Sequence, residues 1–132
     1  MDNERFEKGL AIRKEVLGAE YVTRSLDQSD DFTRPIQELS TAWCWGEIWS
    51  RPGLSRRDRS LLNLAMLSAL NRQHELRLHI KAALRNGLTR EEICEALLQV
   101  AVYCGVPTGM DSTRIAHEAI SEYDAELAAK GD

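Results

Sequence analysis

From Thr89 onward the chain has little choice of local structure. Thr89-Arg90-Glu91-Glu92 is a capping box: the threonine hydroxyl and the glutamate carboxylate each satisfy a backbone amide at a helix start. Behind it Ile93, Leu97, Val100, Ala101 and Cys104 recur at i, i+4, i+7, i+8 and i+11, the stripe of a helix buried along one face. Gly105-Val106-Pro107 ends the pattern. Nowhere does the chain alternate apolar and polar residues as a half-buried strand does, and no βαβ pattern is present. The expectation is therefore an all-α fold.

The other segments agree. Residues 3–17 set Phe6, Leu10, Val16 and Leu17 among charges and end at Gly18. Tyr21, Val22 and Leu26 predict a short helix inside 19–34, with Ser29-Asp30-Asp31 as a loop and cap. Pro35 suits the first turn of a helix running to about Trp49, and Arg51-Pro52-Gly53 breaks it. The next helix reaches Leu70. Its stretch Leu61–Leu70, LLNLAMLSAL, is apolar on nearly every face, so it is expected to be buried all round and to hint at contacts between copies. Asn71-Arg72-Gln73 interrupts, His74–Asn86 is helical, and Gly87 sits at its C-terminal cap. A last helix spans roughly 108–128. With no linker or low-complexity tract, residues 1–132 read as a single domain of about six helices.

Composition narrows the function. Seventeen Lys+Arg against twenty-one Asp+Glu give a net charge of −4, which argues against nonspecific nucleic-acid binding. No apolar run reaches the ~18 residues of a membrane helix, and the N-terminus lacks the apolar core of a signal peptide. Three widely spaced cysteines, Cys44, Cys94 and Cys104, fit neither a disulfide framework nor a zinc site. They are expected to act as small core residues in a reducing cytoplasm. No Gly-rich phosphate loop, GxSxG or HExxH is present.

Candidate chemistry concentrates in two strings. In His74–Ala83 a helical projection puts Leu76, Leu78, Ile80, Ala82 and Ala83 on one apolar arc, with Glu75 and His79 inside it at i, i+4 and Arg77 and Lys81 opposite. A carboxylate beside an inward imidazole raises its proton affinity and fixes its tautomer, as a general acid or base requires. The same pair could equally tie two helices together as a buried structural contact. In the second string all three tryptophans, Trp43, Trp45 and Trp49, fall within seven residues around Gly46 and Glu47. A mid-helix glycine costs about 1 kcal/mol relative to alanine, so Gly46 has a packing or access reason. This string is either an aromatic core patch with Glu47 paired to an arginine, the favoured reading, or the wall of a small-molecule pocket. Arg34, Arg51, Arg56, Arg57, Arg59 and Arg72 flank helix ends; one or two could hold a carboxylate and the rest are solvated. His117 reads as surface or interface.

RSLLNLAMLSALNRQHELRLHIKAALRNGLTREEICEALLQVAVYCGVP, residues 59–107, resembles the core of the carboxymuconolactone decarboxylase family. The flanking RFEKGLAIRKEVLGAEYV, DDFTRPIQEL and CWGEIW strings extend the likeness over nearly the whole chain. The helix, histidine, AAL..G and TREEI pattern is shared with alkyl hydroperoxidase D-like proteins, so the resemblance implies that all-α helical fold. Those proteins are similar in carrying a CxxCxxxH string. Here His79 matches its histidine, Arg72 and Glu75 stand at the cysteine positions, and the place of the relay glutamate falls near Ser60. Dithiol chemistry needs two neighbouring thiols, so peroxide reduction is not expected.

The resemblance implies a cofactor-free, metal-free decarboxylation of 4-carboxymuconolactone to the enol-lactone of β-ketoadipate and CO2, within protocatechuate catabolism. The substrate is a dicarboxylate lactone. The departing carboxylate lies γ to an unsaturated lactone carbonyl that takes its electrons as a dienolate. The enzyme holds the dianion, stabilises the enolate oxygen and protonates the α-carbon. On this pattern His79, supported by Glu75 or Glu47, is the proton donor, and His74 is a second donor or an oxyanion ligand. Arg72 and Arg51 lead as anchors of the retained carboxylate, and Trp45 would keep the departing one poorly solvated. The resemblance also implies a homo-oligomer, a hexamer built as a trimer of dimers. The rival readings are a thiol-dependent hydroperoxide reductase and a non-catalytic helical binding module.

Overall fold

The computed structural model describes residues 2–131, and every described element is helical. The chain divides into two compact units, Met1–Arg56 and Arg57–Asp132.

In the first unit α1 (Asn3–Leu17) is started by Asp2, whose carboxylate accepts from the backbone N–H groups of Glu4 and Arg5. Gly18, at φ 97°, ends α1 and leads directly into α2 (Ala19–Asp27). Asp30 orders the following loop by accepting from the amides of Phe32 and Thr33, but the cap position of the next helix falls on Thr33 rather than within Ser29-Asp30-Asp31. The helix begun by Pro35 departs from expectation. It is α-helical only over α3 (Arg34–Leu39) and continues as a π-helical stretch, Ser40–Ile48.

The wider turns of that stretch lie against α1 at very close range. A Cβ on Gly9 would stand 1.9 Å from the Thr41 carbonyl oxygen, and one on Gly46 2.3 Å from the Arg5 carbonyl oxygen. Two glycines therefore let two backbones touch, which is the packing reason for Gly46. Ile12, Val16, Leu17, Val22, Ala42, Trp45 and Trp49 are buried in this unit. Arg13 is buried too. It donates to Thr41 Oγ1 at 3.0 Å, and burial pushes its guanidinium below its usual pKa.

The second unit holds α4 (from Arg56 to Ala69), α5 (Gln73–Arg85), α6 (Arg90–Cys104) and α7 (Val106–Lys130). Its core is Leu64, Leu76, Ile80, Ala83, Leu88, Ile93, Leu97, Ile115, Ala116 and Ala119. The capping box forms as read: Thr89 Oγ1 accepts from the Glu92 amide, and the Glu92 carboxylate accepts from the Thr89 amide. Gly87 adopts φ 98° after α5, as its capping position requires. α7 starts two residues earlier than expected, with Pro107 in its first turn. Gly109 brings it onto α6, where a Cβ would meet that of Ala101 at 2.4 Å. A row of ion pairs ties α5 to α7: Arg77 to Glu118 and Glu122, and Lys81 to Glu122 and Glu126.

Two expectations are corrected. Leu61–Leu70 is not buried all round. α4 turns Ser60, Leu64 and Ser68 inward, at i, i+4 and i+8, while Leu62, Met66 and Leu70 are 50%, 51% and 65% exposed. On that inner face Ser60 Oγ accepts from Asn86 Nδ2 at 2.8 Å. Nor are the cysteines core residues: Cys44, Cys94 and Cys104 are all exposed free thiols.

Candidate active site

α5 places the first string. Leu76, Ile80 and Ala83 face the core, and His79 rides at the edge of that face, half-buried. Burial lowers its pKa to about 4, so the ring is neutral at neutral pH. This reverses the expectation of a carboxylate-raised imidazole: desolvation is the effect that decides. Asn63, reaching from α4, sets its side-chain Nδ2 3.5 Å from His79 Nδ1.

Glu75 is not inside the apolar arc. One residue before Leu76, it is turned past the edge of the buried face and is exposed. His74 and Arg72 are exposed as well. All three stand at the start of α5: Arg72 is its N-cap residue and His74 and Glu75 lie in the first turn. Asn71, just ahead, is the one non-glycine among the described residues with positive φ, at 58°. The first amides of a helix carry partial positive charge, so Arg72 adds a guanidinium to an end that already favours anions.

The second string belongs to the first unit. Trp45 and Trp49 are buried, with ring centroids 4.7 Å apart. Trp43 is exposed on its outer side, and the Arg5 guanidinium lies 4.1 Å from its ring centroid. Arg5 Nε also donates to Glu47 at 3.2 Å. The core-patch reading, with Glu47 paired to an arginine, is the one this geometry favours. Arg51 is exposed in the loop that follows.

Of the flanking arginines, Arg34 pairs with Asp31, Arg56 with Glu15 and Arg57 with Glu92. His117 is exposed, as read. Sequence reasoning passed over Asn63. Its signal is a single amide inside the apolar run LLNLAMLSAL, where an isolated polar residue calls for a partner. Among the described residues no three His, Cys, Asp or Glu side chains are grouped to hold a metal ion. No described helix is long and apolar enough to cross a membrane.

This histidine-bearing helix pair lies inside a recognisable sequence family. The model of the "Carboxymuconolactone decarboxylase family" matches residues 34–118. A 4-carboxymuconolactone decarboxylase of Acinetobacter baylyi is 41% identical over 121 residues, spanning 92% of this chain and 90% of its own. A nitrosuccinic acid decarboxylase of Metarhizium robertsii is 45% identical over 117 residues, spanning 89% of this chain and 82% of its own. By the extent of these matches, the chain belongs to the carboxymuconolactone decarboxylase family.

Proposed function

We propose that this chain is a carboxy-lyase that converts 4-carboxymuconolactone to the enol-lactone of β-ketoadipate and CO2. The observation that carries this reading is the 41% identity to a 4-carboxymuconolactone decarboxylase over nearly the full length of both chains. His79, neutral and set at the edge of an apolar core, supports it with suitable chemistry.

The bond from the γ-carbon to the departing carboxylate breaks. Its electron pair runs through the double bond into the lactone carbonyl, CO2 leaves, and a dienolate remains. One proton is then added at the α-carbon. His79 is the group proposed to present an N–H to the dienolate and deliver that proton, recovering it from water. Near pKa 4 its protonated form is scarce at neutral pH, so the working form is the neutral ring. Arg72, at the N-cap of α5, is proposed to hold the retained carboxylate bidentately, with His74 and Glu75 beside it in the first turn. Glu47 and Trp45 are assigned to packing in the first unit, since Arg5 engages the one and Trp49 the other.

A second substrate has a specific observation behind it, the 45% identity to a nitrosuccinic acid decarboxylase. Nitrosuccinate is also a dicarboxylate, and its nitro group can take the electrons of a departing carboxylate as a nitronate. The purified protein should be offered each compound while CO2 release is followed. Release from the lactone well above the spontaneous rate, and faster than from nitrosuccinate, supports the proposal. The reverse order assigns the nitro compound, and acceleration of neither overturns both.

The proposal extends to organisation. The family match runs across the boundary at residue 56, which supports one functional domain. Leu61, Leu62 and Met66 of α4 and Leu98, Val102 and Tyr103 of α6 are exposed large apolar side chains, the kind of surface that marks contact sites between proteins. We assign that surface to contacts in a homo-oligomer, to be tested by light scattering. The free thiols fit a reducing cytoplasm.

A further inference from the structure

We infer that Ser68 is a substrate-binding residue whose hydroxyl, together with Arg72 and the uncapped start of α5, takes one carboxylate of a dicarboxylate substrate. The identity of that substrate rests on the proposed decarboxylation; the carboxylate chemistry of the subsite does not.

Two serines on the inner face of α4 are treated differently. Ser60 Oγ accepts a hydrogen bond from Asn86. Ser68, in the last turn of α4, is only 2% exposed, and its Oγ is buried without a hydrogen-bond partner among the described residues. A buried hydroxyl left unpaired costs free energy that alanine, of nearly the same shape, would not. Such a group calls for a reason.

The reason lies in what Ser68 faces. It lines a crevice at the start of α5 together with Arg72, Gln73, Asp111 and Ser112. No side chain caps the first amides of α5, so their N–H groups and the Arg72 guanidinium favour an anion there. The acid lining the crevice, Asp111, is exposed and lies 3.7 Å from the Arg114 guanidinium, which offsets its charge. At rest the crevice has no room for a water molecule, so water does not pair with Ser68. Arg72 is exposed, and a long exposed side chain changes rotamer within nanoseconds. As Arg72 turns outward to grip a carboxylate bidentately, the crevice opens and the same carboxylate accepts from Ser68 Oγ. The hydroxyl that is unpaired at rest is paired on binding, and its resting cost is returned as affinity.

The full-length 15N-labelled protein is titrated at pH 7 with succinate, an unreactive dicarboxylate, and followed by NMR. Saturable shifts are expected at the amides of Gln73, His74 and Glu75, and sodium chloride of equal ionic strength should not reproduce them. Ser68→Ala should weaken succinate binding about tenfold, while its denaturation midpoint stays the same or rises. A hydroxyl with only a structural role would lower the midpoint and leave binding alone. With 4-carboxymuconolactone the same variant should raise KM about tenfold and change kcat less. Absence of saturable shifts at these amides, or succinate binding unaltered in Ser68→Ala, would overturn the inference. If succinate binds as expected and the lactone is not turned over, the subsite stands and the substrate assignment fails. If the lactone is turned over with a KM indifferent to Ser68→Ala, the function stands and the subsite falls.

Discussion

The two strings that carry candidate chemistry, Trp43–Trp49 and His74–His79, end in opposite circumstances. In the first, every striking side chain is engaged within its own unit. Trp45 stacks on Trp49, Arg5 covers Trp43 and binds Glu47, and Gly46 admits the backbone of α1. In the second, His79 is held neutral by burial with Asn63 against Nδ1, while His74, Glu75 and Arg72 stand exposed at the helix start. Both strings look equally functional as residue lists. The difference is that a close glycine-mediated contact consumes the one, whereas the other leaves a titratable ring at the edge of a core.

The contrast can be broken from either side. The largest effect is expected at His79. His79→Gln keeps a hydrogen-bonding side chain of similar reach but cannot exchange the proton, and turnover should drop roughly 10²–10⁴-fold. A folded variant of near-normal rate would remove His79 from the mechanism. On the other side, Gly9→Ala should leave no chemistry altered but destabilise the first unit by about 3 kcal/mol. Its Cβ would meet a backbone oxygen at 1.9 Å, where no side chain can step aside. Chemical denaturation measures this, and an unchanged midpoint would mean that the close approach is not a constraint.

A smaller effect sharpens the comparison through pH. His79 has a folded pKa of about 4, against roughly 6.5 for an unfolded histidine. The unfolded state therefore binds more protons between these values. The stability this ring allows is fully present above pH ~6.5 and is lost as pH falls toward 4. Between pH 7 and pH 5 the unmodified protein should lose about 2 kcal/mol more than His79→Gln. Parallel losses in the two proteins would show that the ring is not desolvated in the folded state.

Much of the fold was legible because its signals are local. The Thr89 capping box, the turn at Gly87 and the breaks at residues 51–53 and 71–73 each depend on a few adjacent residues, and the structure places them as read, except that the second break falls at residues 70–72 and α5 takes in Gln73. What was illegible depends on partners distant in sequence. The π-helical turns of Ser40–Ile48 come with the contact between Gly9 and Thr41, and nothing within the string announces them. The leucines of α4 read as core because hydrophobicity does not say which face a neighbour takes; the two serines take it. Glu75 and His79 share a helix face by spacing, yet the buried edge falls between them, so one is exposed and the other loses its charge. The functional family was legible at once, since it rests on residue identity rather than geometry, and the match over residues 34–118 agrees with it.

The central claim is that a neutral His79 meets the dienolate formed from 4-carboxymuconolactone. The pH dependence of kcat for that substrate tests it most directly. A working group with pKa about 4 predicts a rate that is level from pH 8 down to about pH 5 and falls only below that. A rate that instead rises as the pH is lowered through about 6.5, as an imidazolium donor of ordinary pKa would give, would contradict the account.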